Sequence, residues 1–248
     1  MLTAVVLTKT GEDSLSRCLN SLKFCHQVLI ITDGSSSAIT IPNSQNFKVI
    51  EHPLNSDFSQ QRNFALAQIS SGWVLFIDSD EEVSSSLAAE IIQTINHTQL
   101  RGFYLNRIDT LWNRQLLHGD SAVSLIRLAK FDSGKWQGAV HETWEVKGGV
   151  GRLKAILNHY PHPRLSEFIS DLNFYSTLRA QELFENHKRT NIISIIAYSL
   201  GKFLLIYLIK VGFLDGMPGL VSALSMSFYS FLVRGKLYLL TKKNSGRP

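Results

Sequence analysis

The first half of the chain alternates short, continuously apolar runs with segments of helical period. Strands that are apolar on both faces are typical of parallel sheets, because the helices that connect such strands cover both faces of the sheet. This order predicts an α/β fold with a mostly parallel central sheet. The apolar runs cover residues 2–7, 28–31, 49–50 and 73–77, and the helices cover the stretch up to Leu22 and residues 57–69.

An acidic cluster, Asp78-Ser79-Asp80, directly follows the last of these apolar runs. A strand that ends in two carboxylates presents them at the carboxyl edge of the sheet, where open α/β sheets bind ligands. Hard cations such as Mg²⁺ are commonly held by one or two carboxylates together with substrate phosphates. The cluster also fits a solvated helix start, because further acidic residues and an N-cap-like serine run at residues 84–86 follow it. We favour binding of a metal and a diphosphate over that alternative.

Several functional classes have no support in the sequence. A Gly-x-Gly-x-x-Gly fingerprint and a Walker P-loop are both missing, so neither a Rossmann dehydrogenase nor a P-loop NTPase is indicated. The net charge of +5 comes without zinc-finger spacing, RNA-binding aromatic motifs or a long basic run, so no nucleic-acid partner is expected. Two cysteines make a disulfide framework improbable, and the chain opens on a strand without a charged leader, so we expect a cytoplasmic location.

The second half changes character twice. Residues 103–160 are irregular and rich in glycine turns, and we expect them to extend the sheet and build the acceptor side of a cleft. Beyond Pro163 the pattern becomes helical, so we divide the chain into a catalytic domain over residues 1–163 and a helical region over 164–248. The first helix, over residues 165–187, is predicted to bury one face formed by Phe168, Leu172, Tyr175, Leu178 and Leu183.

An apolar hairpin follows that helix. Residues 192–211 are about long enough, at ~1.5 Å per residue, to cross a hydrocarbon core of ~30 Å. Lys202 lies near the middle, however, where a lysine costs about 3 kcal/mol on insertion scales. A second apolar stretch, residues 220–233, is shorter than a normal span, and residues 212–219 break the helix between them. The narrow polar stripe on the first stretch consists of Asn191, Ser194, Tyr198 and Lys202.

Basic residues flank this hairpin on both sides. Because positive flanks mark the cytoplasmic side of a membrane, both ends of the hairpin are expected there. We therefore favour a peripheral or monotopic hairpin at the inner face of the cytoplasmic membrane, in contact with anionic lipid. The alternative is that the helices only pack on the catalytic domain or on another subunit, and a homo-oligomer stays open.

Four segments, residues 5–10, 33–35, 61–66 and 73–81, together resemble glycosyltransferase family 2, which has the GT-A fold. Later segments at residues 127–128, 138–142, 157–160 and 212–216 resemble a narrower branch. That branch contains the lipopolysaccharide core β-1,4-glucosyltransferases of the WaaE type. The resemblance covers nearly the whole chain and implies transfer of a sugar from a nucleotide-diphosphate donor, typically UDP-linked, to a glycolipid or lipopolysaccharide-core acceptor.

The resemblance also implies roles for particular residues. Asp80 would bind Mg²⁺ or Mn²⁺ directly, Asp78 would hold the ribose or the metal, and His159 could complete the metal shell. Arg62 could pair with the diphosphate or with Asp78, or form only a structural ion pair. Relatives usually carry aspartate at the place of Thr32, so the acidic position is shifted by one residue here. The residues implied to contact the nucleotide sugar are Thr8, Lys9, Thr10, Asp33, Gln61, Arg62, Asp78 and Ser79.

An inverting transfer needs a general base beside the acceptor hydroxyl. Glu142 stands at the place of the family's acidic base, and His141 is the alternative. Asp120, Asp132 and Glu145 are weaker candidates, because acidic residues in loops are usually solvated. The Gln-x-x-Arg-Trp motif of processive relatives is missing from the sequence, so a single sugar per encounter is expected.

Two other functions stay open at this point. A nucleotidyltransferase of similar fold also places carboxylates and a metal beside a nucleotide, but residues 8–12 make a poor triphosphate-binding loop. A non-catalytic membrane adaptor could retain a decayed transferase fold. The intact acidic pair together with Glu142 argues against that decay.

Overall fold

The computed structural model describes residues 1–8, 14–39, 41, 46–54, 57–112, 114–120, 122–138, 142–161 and 165–244. The chain forms two compact units. The sheet unit comprises Met1–Ile108 and Val123–His159, and the helical unit comprises Asp109–Ala122 and Tyr160–Pro248. The division into a catalytic domain that ends at residue 163 and a helical region that follows it stays a prediction.

Strands and helices alternate in the first part of the chain, and a run of strands followed by a run of helices makes up the rest. The strands are β1 (Leu2–Thr8), β2 (Gln27–Thr32), β3 (Phe47–Glu51), β4 (Trp73–Asp78), β5 (Glu81–Val83), β6 (Gly102–Leu111), β7 (Arg114–Gln115), β8 (Ala122–Lys130), β9 (Gly134–Gln137), β10 (Thr143–Val146) and β11 (Val150–His159). The α-helices are α1 (Leu15–Ser21), α2 (Phe58–Ala67), α3 (Ser85–His97), α4 (Leu165–Glu185), α5 (Ile192–Leu204) and α6 (Met217–Asn244).

The central sheet has the order β3-β2-β1-β4-β8-β6-β11-β5. Strand β1 runs parallel to β2 and β4, and β2 runs parallel to β3. Strand β8 pairs antiparallel with β4, and β5 pairs antiparallel with β11. The predicted α/β fold is confirmed, and all four apolar runs became strands, but the sheet as a whole is mixed and not mostly parallel. The parallel pairing lies in this first half of the sheet, which places the ends of β1, β2 and β4 at one edge.

Both faces of the parallel strands are buried, as their continuous apolar character predicts. On one face, Ala4 and Val6 pack with Leu19 of α1 and Leu87 of α3. On the other face, Val5, Leu7 and Phe76 pack with Ala65 of α2 and with the tryptophans of the β9–β10 hairpin, Trp136 and Trp144. That second face leads directly to the candidate site, because the acidic end of β4 follows Phe76.

In the helical unit, α4 and α5 both pack against α6. The predicted buried face of α4 is partly wrong: Leu172 is buried, but Tyr175 and Leu178 are 45% and 38% exposed. Ser176 and Ala180 are buried instead. Contacts with Lys236 of α6 explain why this face of α4 is the buried one. The Lys236 ammonium donates to the carbonyl and side-chain oxygens of Asn173 and to the hydroxyls of Ser176 and Thr177, at 2.6–2.8 Å.

The apolar hairpin forms as predicted up to its second arm, which is longer than expected. Helix α5 continues through a π-helical turn at Leu205–Ile209, and a 3-10 turn at Gly212–Asp215 precedes α6. Helix α6 is 28 residues long, so the apolar stretch at 220–233 lies inside a longer helix. Ile192–Ile209 is long and apolar enough to cross a membrane by length and composition, and only 6% of it is buried. The ammonium of Lys202 donates to Asp120 at 2.8 Å, which offsets the charge that the sequence placed in the middle of this stretch.

Asp215 ties the segment at 109–122 to the turn before α6. Its buried carboxylate accepts hydrogen bonds from the backbone N–H groups of Leu117 and His118 at 3.3 and 2.9 Å. The Nδ1 atom of His118 lies 2.8 Å from the same carboxylate. The Gly212–Asp215 turn, which belongs to the sequence resemblance, thus has a structural role in the helical unit.

We expect Asp215→Ala to destabilise the helical unit by about 3 kcal/mol, because buried donors left without an acceptor cost roughly 1–3 kcal/mol each. Hydrogen exchange of the Leu117 and His118 amides should accelerate with it. Asp132→Ala is the control, since Asp132 forms an exposed ion pair with Arg101. Equal loss of stability in the two variants would contradict the structural role of Asp215.

Candidate active site

The carboxyl ends of β1 and β2 meet at one edge of the sheet. The backbone N–H of Asp33 donates to the carbonyl of Thr8 at 3.2 Å. Asp33 is exposed and its carboxylate accepts from the backbone N–H of Leu54 at 2.6 Å, whereas Thr32 is fully buried. Asp33 therefore places a carboxylate at this edge of the sheet, whereas the Thr32 side chain is buried. Lys9 and Thr10 lie outside the described residues.

Asp78, at the end of β4, is held by two arginines. Its Oδ1 accepts from Nη2 of Arg62 at 2.7 Å, and its Oδ2 accepts from Nη2 of Arg127 at 2.6 Å. Burial disfavours the charged carboxylate, but Arg127 and Arg62 outweigh it and hold the pKa of Asp78 well below its usual range. Both oxygens of Asp78 are thus engaged by arginines, and its role as a ligand of the metal or the ribose stays a prediction.

Arg62 connects Asp78 to Glu142. Its Nε donates to Oε1 of Glu142 at 2.9 Å, and the guanidinium lies 4.6 Å from the ring centroid of Trp136. Arg62 is only 2% exposed, so the charge is accommodated by two carboxylates and an aromatic face. The contact with Asp78 is one of the alternatives predicted for Arg62, and pairing with a diphosphate stays a prediction. The described contacts add a second carboxylate that the sequence did not indicate.

Glu81, which the sequence analysis did not single out, is also part of this network. Its side chain is fully buried, and Oε2 accepts from the backbone N–H of Asp78 at 2.9 Å. Arg107 and Arg127 face its Oε1 at 3.4 and 3.7 Å. Burial raises the pKa of Glu81, and the charge of Asp78 adds to that rise against the opposing pull of the two arginines. The site therefore interleaves buried carboxylates with buried guanidinium groups.

Asp80 and His159 form a separate pair. Strand β5 pairs with the end of β11 so that Glu81 faces His159, and this register brings the two strand ends together. Nε2 of His159 lies 3.2 Å from Oδ2 of Asp80, whose side chain is 40% exposed. A carboxylate oxygen and an imidazole nitrogen suit a divalent cation that takes its other ligands from phosphate and water. Within the described part of the chain, no group of three or more His, Cys, Asp or Glu side chains could hold a metal by itself.

Gln61, which the resemblance places at the nucleotide sugar, lies on α2. It is 3% exposed, and its amide donates to the carbonyl of His52 at 2.8 Å, which anchors α2; its contact with the nucleotide sugar stays a prediction. Its neighbour Asn63 exchanges two hydrogen bonds of 2.9 Å with the backbone of Trp136 and holds the β9 strand against α2. Ser79 is buried beside the acidic pair, and His141 lies outside the described residues.

The weaker acidic candidates lie in surface ion pairs or hydrogen bonds. Asp132 pairs with Arg101, and Glu145 accepts a hydrogen bond from Gln137 at 2.6 Å. Asp120 belongs to the helical unit. In the sheet unit, Glu142 is thus the candidate base that contacts the network at the end of β4.

Arg107 and Arg127 are the site residues that sequence reasoning missed. Arg127 interrupts the otherwise apolar run of β8, which pairs with β4 so that Leu128 faces Leu75. A charged residue in a buried strand requires a partner of opposite charge, because burying an unpaired charge is very costly. That signal is present in the sequence, but the partner depends on the pairing of β8 with β4.

Known proteins are similar in sequence to most of this chain. Residues 3–147 match the family model described as "Glycosyl transferase family 2". The chain is 26% identical to the lipopolysaccharide core biosynthesis glycosyltransferase LpsC of Rhizobium meliloti, over 96% of this chain and 92% of that protein. It is 26% identical to an uncharacterized glycosyltransferase of Rickettsia typhi, over 96% of this chain and 87% of that protein. The structure of S. aureus TarS 1–349 in complex with UDP-GlcNAc aligns with a TM-score of 0.47 and 14% identity, over 99% of this chain and 92% of that one.

Proposed function

The chain belongs to glycosyl transferase family 2, and we propose that it transfers one sugar, with inversion, from a UDP-linked donor to a hydroxyl of a lipid-linked or lipopolysaccharide-core acceptor. The observation that carries the proposal is the link Asp78–Arg62–Glu142 at the end of β4. It joins the acidic motif expected at the donor to the carboxylate expected at the acceptor. A single buried side chain thereby fixes the spacing between the two halves of the reaction.

Glu142 accepts the proton of the acceptor hydroxyl in this proposal, and that oxygen attacks the anomeric carbon while the bond to the diphosphate breaks. Arg62 donates to Oε1 of Glu142, so it holds the carboxylate in one orientation. Positioning of this kind accelerates a bimolecular transfer because the reacting groups no longer have to find their geometry. Thr8 and Asp33 border the nucleotide at the ends of β1 and β2.

Asp80 and His159 are the residues that would hold Mg²⁺ or Mn²⁺. Such a cation, when bound, neutralises negative charge on the departing nucleoside diphosphate. Asp80 suits this role better than Asp78, because neither of its oxygens contacts an arginine among the described residues. Asp78 instead orders Arg62 and Arg127.

The acceptor class rests on two observations. The similarity to LpsC, a lipopolysaccharide core biosynthesis glycosyltransferase, extends over nearly the whole chain. In addition, the helical unit exposes many large apolar side chains, among them Ile193, Ile196 and Ile209 on the α5 arm. We propose that this surface contacts the anionic inner face of the cytoplasmic membrane, where a lipid-linked acceptor is presented.

The experiment that tests the proposal incubates the full chain with a panel of radiolabelled nucleotide sugars, Mg²⁺ or Mn²⁺ and bacterial lipid extract. We expect transfer from one donor, and Asp80→Ala should lower its rate at least ~100-fold, which is a loss of about 2.7 kcal/mol in transition-state stabilisation. Asp132→Ala is the matched control and should retain wild-type activity.

Three outcomes would contradict the proposal. Transfer or hydrolysis of no donor would remove the enzymatic assignment. Release of pyrophosphate from a sugar phosphate and a nucleoside triphosphate would identify a nucleotidyltransferase instead. Equal activity of Asp80→Ala and wild type would exclude the acidic pair from the chemistry.

A further inference from the structure

The helical unit contains a groove of about 370 Å³ between α5 and α6. This volume falls within the range of small-ligand sites, roughly 300–1,000 Å³. Most of the wall consists of aliphatic and aromatic carbon. The lining residues are Ala197, Tyr198, Gly201, Lys202, Leu205 and Ser230.

Gly201 has no side chain, and this absence leaves open space in the groove. A Cβ built on Gly201 meets no heavy atom within 4 Å, and the residue is not in the left-handed backbone region. Glycine inside a helix costs about 1 kcal/mol relative to alanine. Neither packing nor backbone geometry among the described residues therefore requires glycine at this position. The effect of the glycine is to keep the groove open. The π-helical turn that begins at Leu205, a form frequent at functional sites, adjoins the same groove.

Among the described residues, the one charged residue that lines the groove is Lys202, and further cationic side chains contact its lining residues or share a partner with Lys202. Lys202 and Lys210 both donate to Asp120, so two ammonium groups share one carboxylate. The guanidinium of Arg234 lies 4.0 Å from the ring centroid of Tyr198, another lining residue. An apolar wall with cationic groups beside it complements a molecule that joins a hydrocarbon chain to an anionic head.

We propose that this groove binds one hydrocarbon chain of a phosphate-bearing lipid, with the phosphate beside Lys202 and Arg234. The proposal extends the membrane contact proposed above from a general surface to a defined site. A free phosphate would leave the apolar wall unused, and a zwitterionic lipid would bring a second positive charge toward Lys202 and Arg234. A phospholipid with a net negative charge satisfies both the wall and the charges.

Native mass spectrometry of the full chain in detergent micelles tests this proposal. With phosphatidylglycerol added, we expect the wild type to retain one lipid molecule. Gly201→Leu fills the groove and should reduce that retention at least ~10-fold, equivalent to about 1.4 kcal/mol. The matched control is Gly235→Leu in α6, because a Cβ on Gly235 also meets no heavy atom within 4 Å but Gly235 does not line the groove.

Further arms identify the ligand. Phosphatidylcholine should be retained at least ~10-fold less than phosphatidylglycerol, and inorganic phosphate should not displace the bound lipid. Equal retention by Gly201→Leu and wild type, equal retention of the two lipids, or displacement by inorganic phosphate would overturn the proposal. Ala197→Leu provides a second groove variant, and thermal melts establish that each variant is folded. Sugar transfer is measured separately on the same samples, so failure of lipid retention and failure of the proposed enzymatic function are distinguishable.

Discussion

Glu142→Gln is expected to lower kcat/KM for sugar transfer by roughly 100- to 10,000-fold, the range associated with loss of a general base. Glutamine keeps the size of the side chain and can still accept a hydrogen bond from Nε of Arg62, so the fold should be preserved. It cannot accept the proton of the acceptor hydroxyl. The donor KM should change little, because the proposed mechanism places Glu142 on the acceptor side. Steady-state kinetics with the donor identified in the panel provide the measurement.

Glu145→Gln is the matched control for this substitution. Glu145 lies on β10 close to Glu142 in sequence, but it is exposed and contacts Gln137. We expect its kcat/KM to stay within about twofold of wild type, a difference of roughly 0.4 kcal/mol. If Glu145→Gln lost activity as strongly as Glu142→Gln, or if neither variant lost activity, the assignment of the base would be wrong.

Arg62→Met is expected to be the most destabilising single substitution at the site. Removing one partner of a buried ion pair typically costs 3–5 kcal/mol, because the remaining charge is left uncompensated, and we expect a loss of about 4 kcal/mol here. Asp78 would keep Arg127, but Glu142 would lose its described ion-pair partner. Chemical denaturation measures the change. Arg101→Met, which breaks an exposed pair with Asp132, should cost less than about 1 kcal/mol.

If Arg62 positions Glu142, its substitution should also change the kinetics of transfer. Arg62→Lys keeps the charge but cannot form the two directed bonds of a guanidinium, so it should recover stability more fully than kcat. Combined with Glu142→Gln in a double-mutant cycle on kcat/KM, Arg62→Met should show coupling of about 0.5–3 kcal/mol. Strict additivity would mean that Arg62 supports the fold without orienting Glu142.

The fold was predictable because burial on both faces leaves a direct trace in the sequence. Every residue of β1 is buried, and a strand in that position has no polar face to alternate with. The buried face of α4 was less predictable, since Tyr175 and Leu178 fit the helical period as well as Ser176 and Ala180 do. The contact with Lys236, more than 50 residues away along the chain, decides between them.

The site was predictable in its position but not in its connections. Asp78 and Asp80 could be placed at the sheet edge because they follow a buried strand. Their different partners could not be deduced, because Arg127 reaches Asp78 through the β4–β8 pairing and His159 reaches Asp80 through the β5–β11 pairing. The sequence around Glu81 does not distinguish a buried glutamate from a solvated one. Only the tertiary packing shows that it is buried.

The pairing of β5 with β11 also has a consequence for biosynthesis. Asp80 and His159 are separated by 79 positions, and they meet only after β11 has joined the short strand β5. Contacts between such distant positions form late, because the long intervening loop must close first. A nascent chain that has just exposed Asp78-Ser79-Asp80 outside the ribosome therefore has its acidic motif but not the histidine beside it. On this basis, the proposed cation site is completed only when the last strand of the sheet has been synthesised and paired.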